Sequence, residues 1–115
     1  MPTVLVADDS PVALLAIARR LRGEGFDVVE HTTALSASEA DVTDLVCALL
    51  DVDLGDGDGS DVALALQEKR ADLPVAFFSA SVAPDVLLRA RAVGPVFAKP
   101  DGLEAAIEWV RAQAG

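Results

Sequence analysis

The fold of this chain is decided by residues 46–61, VCALLDVDLGDGDGSD. The segment opens with an uninterrupted apolar run, residues 46–50, which ends at Asp51 and is followed by an acidic loop punctuated by glycines. Because the run is too short for a membrane span and too uniformly apolar for a surface strand, it predicts a strand buried on both faces. Strands of this kind belong to parallel sheets, in which ligands bind beyond the carboxyl ends of the strands, and Asp51 lies at such an end.

The composition predicts one globular domain, residues 1–115, with a strongly acidic surface. Hydrophobic residues make up 52% of the chain, and 19 Asp and Glu against 9 Lys and Arg give a formal net charge of −10. Such a surface repels phosphate backbones and anionic headgroups, so we expect neither direct nucleic-acid binding nor membrane binding. The N-terminus lacks a signal-peptide pattern and no apolar run approaches membrane length, which predicts a cytoplasmic protein.

Strand and helix patterns alternate five times along the chain. Strands are predicted at residues 3–7, 26–30, 46–50, 75–78 and 96–98, and helices at about 11–22, 34–40, 60–70, 84–93 and 102–114. The helix at 34–40 has the thinnest apolar stripe of the five. Repeated β-α units predict an α/β fold with a doubly wound, five-stranded parallel sheet in the order 2-1-3-4-5 and with five helices.

The acidic ends of the first and third strands are neighbours in that order, because the switch point of the sheet lies between them. We therefore expect Asp8, Asp9 and Asp51 to lie side by side. Ser79 follows the fourth strand and Lys99 the fifth, so both are expected at the same edge. Two carboxylates about 4 Å apart repel by roughly 4 kcal/mol at an effective dielectric near 20, and a hard divalent cation such as Mg²⁺ relieves that repulsion. Any one aspartate alone could merely cap a helix, but the set indicates a metal site.

The same edge has the parts that phosphoryl transfer needs. A carboxylate such as Asp51 can accept a phosphoryl group as an acyl phosphate, while a metal ion and Lys99 neutralise the transferring charge. Ser79 offers a hydroxyl to a phosphoryl oxygen, and the small Ala80 leaves room beside it. The sequence contains no serine or cysteine nucleophile with a histidine partner, and the single histidine, His31, is expected as a surface residue at the end of the edge strand.

Five short motifs at the predicted strand and helix ends together resemble the receiver domain of two-component response regulators. They are Asp8-Asp9, Leu49-Leu50-Asp51, Asp58-Gly59, Ser79-Ala80 and Lys99-Pro100. Each motif is common by itself, but all five in this order are specific, and the resemblance covers essentially the whole chain. The predicted strand order is the flavodoxin-like order of that family.

The resemblance implies how the site works. It implies a Mg²⁺ site made by Asp9, Asp51 and the backbone carbonyl of Asp53, with Asp8 acting through water. Asp51 would accept a phosphoryl group from a histidine of a sensor kinase or of a histidine phosphotransfer protein.

The resemblance also implies a switch. Ser79 and Lys99 would close on the phosphate and shift the face formed by the fourth helix, the fifth strand and the fifth helix, which would then bind a downstream protein target. The Lys99-Pro100 bond is expected to be cis, a state that proline makes accessible. Such a domain catalyses only its own phosphorylation and dephosphorylation and is not otherwise an enzyme. If the chain is the whole protein, it is a stand-alone receiver.

Three features depart from the family pattern. The proline usually found four residues after the acceptor is Gly55, which frees the loop, and the connection at residues 94–95 is short. The aromatic residue expected three positions before Lys99 is Val96. Phe97 comes one place later and should point to the opposite face of the sheet, because strand side chains alternate.

Two other functions fit parts of the pattern. A pseudo-receiver would keep the fold as a protein-interaction module that works without phosphorylation, as Val96 and Gly55 allow, although the intact Asp9, Asp51 and Lys99 favour a phosphorylated domain. An aspartate-nucleophile phosphohydrolase shares the DxD form of residues 51–53, but in such enzymes that motif follows the first strand. A flavodoxin-like cofactor binder is disfavoured because an acidic pocket repels a flavin phosphate.

Overall fold

The strand that ends directly before Asp51 lies at the centre of a five-stranded parallel sheet in this computed structural model, which describes residues 2–115. Strands and helices alternate in the order β1 (Thr3–Ala7), α1 (Pro11–Gly23), β2 (Asp27–His31), α2 (Ala34–Ser38), β3 (Leu45–Leu50), α3 (Gly59–Lys69), β4 (Val75–Ser79), α4 (Pro84–Arg91), β5 (Val96–Ala98) and α5 (Leu103–Ala114). The sheet order is β2-β1-β3-β4-β5 and every neighbouring pair is parallel. The predicted fold class, strand order and number of helices are confirmed.

Two helices end two residues earlier than predicted. Helix α2 stops at Ser38, where the amide of Ala40 turns back to the carbonyl of Ala37, 3.2 Å away. Helix α4 stops at Arg91, because the amide of Val93 donates to the carbonyl of Ala90 at 2.9 Å and so tightens the last turn. These i→i+3 bonds are the tighter turns with which many helices end.

Apolar cores hold helices on both faces of the sheet. Helices α2, α3 and α4 pack on one face, against residues such as Leu50 and Phe77, and α1 and α5 pack on the other, against Leu49 and Phe78. The apolar stripes of α1, α3 and α5 are buried or partly buried there: Leu14, Ile17, Ala18 and Leu21; Val62, Ala63 and Leu66; and Leu103, Ala106, Ile107 and Val110. Within residues 2–115, no helix is both long and apolar enough to cross a membrane.

The turn between β3 and α3 is tightly built. Asp58 caps α3, and its Oδ1 accepts the amide of Ser60 at 2.8 Å. A Cβ on Gly59 would lie 2.0 Å from the backbone oxygen of Asp51, so the first residue of α3 has to be glycine for the helix to approach the end of β3. This close approach fixes the backbone that carries Asp51.

Candidate functional site

Three carboxylates meet at the carboxyl edge of the sheet. The amide of Asp51 donates to the carbonyl of Ala7 at 2.9 Å, which places the end of β3 beside Asp8 and Asp9 at the end of β1. One carboxylate oxygen from each of the three aspartates lies within 4.8 Å of the others. Asp8 is 1% exposed and Asp51 8% exposed, whereas Asp9 is open to solvent. The predicted convergence of these three residues is therefore present in the structure.

Lys99 neutralises the two buried carboxylates. Its Nζ lies 2.5 Å from Oδ2 of Asp8 and 3.0 Å from Oδ2 of Asp51. Burial lowers the pKa of Lys99, but its hydrogen bonds to the carboxylates of Asp8 and Asp51, and their charges, outweigh burial and raise that pKa above its ordinary value. The lysine is therefore a fixed cation in the pocket at neutral pH. The Lys99-Pro100 peptide bond is cis, as the resemblance implies.

Ser79 completes the hydrogen bonding of the Asp51 carboxylate. The Ser79 hydroxyl donates to Oδ1 of Asp51 at 2.7 Å, and the amide of Asp53 donates to the same oxygen at 3.2 Å. The Ser79 oxygen in turn accepts the amide of Ser81 at 3.2 Å. Both oxygens of Asp51 are thus oriented, one by a hydroxyl and an amide and the other by an ammonium group. These contacts hold the carboxylate at the base of a cavity of about 240 Å³, lined by Asp9, Asp51, Asp53, Ser79, Ala80 and Ser81.

Lys99 pairs with Asp8 and Asp51 but not with Asp9. Partial burial raises the pKa of Asp9, and the negative charges of Asp51, Asp8 and Asp53 raise it further. Asp8, Asp9 and Asp51 carry three negative charges when ionised and Lys99 supplies one positive charge, so two negative charges stay uncompensated. Carboxylate oxygens with this excess charge are a donor set that suits Mg²⁺.

Asp53 contributes to the cavity differently from the other aspartates. Its carboxylate Oδ1 accepts the amide of Gly55 at 3.0 Å, so the side chain is turned toward its own loop. Gly55 has φ of +78°, a conformation that glycine adopts freely and that proline cannot adopt. The loop after Asp51 therefore follows a path that the proline usual in the family could not take.

The sequence patterns did not predict two contacts made by the loop that follows Asp51. Asp56 reaches across to α2, where its oxygens accept the amide of Ala34 at 2.7 Å and that of Leu35 at 3.1 Å. Asp58, besides capping α3, binds Arg89 of α4 at 2.8 Å. An aspartate in a glycine-rich loop gives the same turn signal whether or not it caps a distant helix, so the sequence contained no signal that distinguishes these contacts.

His31 differs from the surface residue that the sequence predicts. Its ring is half-buried, with Nδ1 3.0 Å from the Ser36 hydroxyl. Its Nε2 is shielded from solvent and has no hydrogen-bond partner among residues 2–115. Burial of the ring lowers the pKa of His31, because it disfavours the charged form.

The fold is doubly wound α/β, with an acidic pocket and a paired lysine at the carboxyl edge of the sheet. These features together define a class of small regulatory domains. Comparisons with known proteins give the family. The family model for the response regulator receiver domain matches residues 4–111. The probable transcriptional regulatory protein TcrX of Mycobacterium tuberculosis is 31% identical over 115 residues, a match that covers 96% of this chain and 48% of that protein. The chain thus spans about half the length of this curated relative.

Solved structures show the same fold. The N-terminal domain of a response regulator/sensory box/GGDEF 3-domain protein from Carboxydothermus hydrogenoformans is 29% identical with a TM-score of 0.79, covering 96% of this chain and 92% of that chain. The non-phosphorylated HemR receiver domain from Leptospira biflexa is 23% identical with a TM-score of 0.84, covering 98% of this chain and 94% of that chain. The chain therefore belongs to the family of response regulator receiver domains, which are signalling domains of two-component systems.

Proposed function

We propose that residues 1–115 act as one receiver unit in which Asp51 accepts a phosphoryl group from a phosphohistidine of a sensor kinase or phosphotransfer protein. The observation that carries this proposal is the environment of the Asp51 carboxylate. It is buried except at the cavity, is oriented by Ser79, and is paired with Lys99. A carboxylate held in this way is oriented in the cavity before a phosphoryl donor arrives.

In the proposed step, an oxygen of Asp51 forms a bond to phosphorus while the bond from phosphorus to the imidazole nitrogen of the donor breaks. The imidazole leaves with that electron pair, and the product is an acyl phosphate. Lys99 and Ser79 already contact the two oxygens of the carboxylate, so each needs only a small movement to bind an oxygen of the new phosphoryl group. Their charge and hydroxyl hydrogen stabilise the negative charge that accumulates there.

The acidic edge of the pocket supports a Mg²⁺ requirement. The candidate ligands are Asp9, Asp51 and the backbone carbonyl of Asp53, with Asp8 acting through water. Bound Mg²⁺ supplies charge neutralisation for the phosphoryl group. Asp9, Asp51 and Asp53 line the cavity and Asp8 does not, which supports an indirect role for Asp8 and direct contacts from the other residues.

The proposed output is binding of a downstream protein to the face that includes α4. Helix α4 has one buried residue, Ala90, and the exposed apolar residues Val82 and Leu88 lie just before it and on it. A helix held by so little buried surface can change position at a small cost in free energy. Its link to α3 through Asp58 and Arg89 lies at the surface, where an ion pair contributes little to stability.

One observation favours the pseudo-receiver as a second candidate. Val96 packs in the core that includes α4, whereas Phe97 packs in the core on the opposite face. The alternation predicted for these two residues is thus confirmed, and the aliphatic Val96 stands where the family usually has its aromatic switch residue. In this alternative, the domain binds its partner through a fixed surface and Asp51 carries no phosphate.

Intact-mass analysis after incubation with acetyl phosphate tests the proposal, with and without Mg²⁺. We expect a mass increase of one phosphoryl group that needs Mg²⁺ and is absent from Asp51→Asn. The matched control is Asp44→Asn, which removes the same charge from an exposed position directly before β3, away from the cavity, and should still be modified. No adduct, together with no binding of beryllofluoride, would favour the pseudo-receiver. Beryllofluoride binding without an adduct would indicate an acyl phosphate that hydrolyses quickly.

A further inference from the structure

A buried aromatic ring lies beside the ammonium group of Lys99. The Nζ of Lys99 lies over the ring of Phe78, 5.7 Å from the ring centroid. Phe78 directly precedes Ser79 in β4, and 6% of its surface is exposed. The face of a phenylalanine ring is electron-rich and attracts a cation placed over it within about 6 Å. The contact is therefore of a kind that can fix the position of a cation.

The Lys99 side chain has to reach past a neighbouring strand, so a contact that holds its ammonium group in place is useful. Lys99 follows β5, whereas its partners Asp51 and Asp8 follow β3 and β1, on the other side of β4. Because neighbouring strands lie roughly 4.8 Å apart, the side chain has to extend past the end of β4 to reach them. On the α1 and α5 side of the sheet, Lys99 lines an apolar recess of about 190 Å³ together with Phe78, Leu103 and four other residues.

We propose that Phe78 is a positioning residue, whose ring holds the Lys99 ammonium group against Asp8 and Asp51 so that it meets an incoming phosphoryl group. Both carboxylates accept hydrogen bonds from the ammonium group. The ring adds the attraction of its electron-rich face to the same cation. An aliphatic side chain of similar volume would fill the space but would not attract the cation.

The effect of Phe78 on rate rests on the proposed function, whereas its hold on Lys99 is a property of the unphosphorylated domain. The first test replaces Phe78 by phenylalanines with increasing numbers of ring fluorines, which withdraw electrons from the ring face and change its shape little. We expect phosphorylation by acetyl phosphate at saturating Mg²⁺ to slow stepwise, by roughly fivefold across the series, while the melting temperature changes little.

Phe97 provides the matched control. It pairs with Phe78 in the register of β4 and β5 and packs in the same core, but the Lys99 ammonium group lies over the ring of Phe78. The fluorinated series at position 97 should leave the phosphorylation rate unchanged. A constant rate in the series at position 78, or an equal slowing in both series, would overturn the proposal.

A second measurement does not depend on phosphorylation. The Nζ protons of Lys99, observed by NMR in the unphosphorylated protein, should exchange with water several-fold faster in Phe78→Leu than in the wild type, and Phe97→Leu should leave their exchange unchanged. Unchanged exchange in a folded Phe78→Leu would refute the positioning role whether or not Asp51 is phosphorylated. Faster exchange in a protein that forms no adduct and binds no beryllofluoride would support the positioning role and reject the proposed function.

Discussion

The substitution Asp9→Asn should make the fold more stable than the wild type without Mg²⁺ and less stable than the wild type with Mg²⁺. Without Mg²⁺, Asp9 contributes a negative charge within 4.8 Å of the ligand oxygens of Asp8 and Asp51. At that distance, an effective dielectric near 20 gives a repulsion of about 3.5 kcal/mol for each pair. The exposure of Asp9 to solvent screens most of this repulsion, so we expect Asp9→Asn to stabilise the fold by about 1 kcal/mol.

With Mg²⁺, the wild type should become more stable than Asp9→Asn. Binding at ten times the dissociation constant stabilises the wild type by about 1.4 kcal/mol, and Asp9→Asn should lose most of this gain. For 115 residues, the average entropy of unfolding converts 1 kcal/mol to about 4 °C. The variant should therefore melt about 4 °C above the wild type without Mg²⁺ and about 1 °C below it with Mg²⁺.

Thermal unfolding followed by circular dichroism gives this measurement, with NaCl of equal ionic strength replacing MgCl₂ in the reference. Asp44→Asn is the control, because it removes the same charge from an exposed position directly before β3, at the opposite edge of the sheet. It should respond to Mg²⁺ as the wild type does. If Asp9→Asn lowers the melting temperature in both conditions, or if both proteins gain equally from Mg²⁺, then Asp9 is not the uncompensated metal ligand.

Three further predictions concern the loop and the turn beside the acceptor. Gly59→Ala should lower the free energy of unfolding in urea by roughly 1–3 kcal/mol, because its methyl group would collide with the backbone oxygen of Asp51. Gly55→Pro, which installs the residue usual in the family, should destabilise the fold by more than about 1 kcal/mol, since proline cannot adopt φ of +78°; an unchanged urea midpoint would contradict this. The amides of Ala34 and then Leu35 hold the pKa of Asp56 below its ordinary value of 3.8, so its contribution is present above pH 3.8 and lost as pH falls through the lowered folded-state pKa. The stability difference between wild type and Asp56→Asn should accordingly shrink in acid titrations below pH 4, and a difference independent of pH would contradict the cap.

The parts of the fold that could be predicted from the sequence are those recorded by local patterns. Apolar runs that end in charged or hydroxyl residues identify the strands, and the regular alternation of strands and helices leaves few ways to connect them. Alternation along β5 also predicts correctly that Val96 and Phe97 face different cores. Helix ends were less predictable, because the tight turns that close α2 and α4 depend on backbone hydrogen bonds rather than on residue type.

The contacts between the loop after Asp51 and two distant helices could not be predicted. Asp56 caps a helix that begins 22 residues earlier in the chain, and Asp58 binds a residue of α4 that lies 31 residues away. Both aspartates occur in a stretch where glycine and aspartate alternate, which predicts only a turn. Which of these carboxylates contacts which helix depends on how α2 and α4 pack around the loop, and the local sequence does not specify that packing.

The residues at the strand ends do not predict which charges pair with each other in the pocket. They place three aspartates and one lysine at the same edge but do not indicate which carboxylates the lysine neutralises. Burial decides this, because an ionised carboxylate that is 1% exposed, as Asp8 is, costs much more free energy without a partner than an exposed one does. Lys99 therefore pairs with Asp8 and Asp51, and Asp9, which water can solvate, keeps its charge available for a cation. A sequence records the number of charges at this edge, but only the packing around each one determines which remain to attract Mg²⁺.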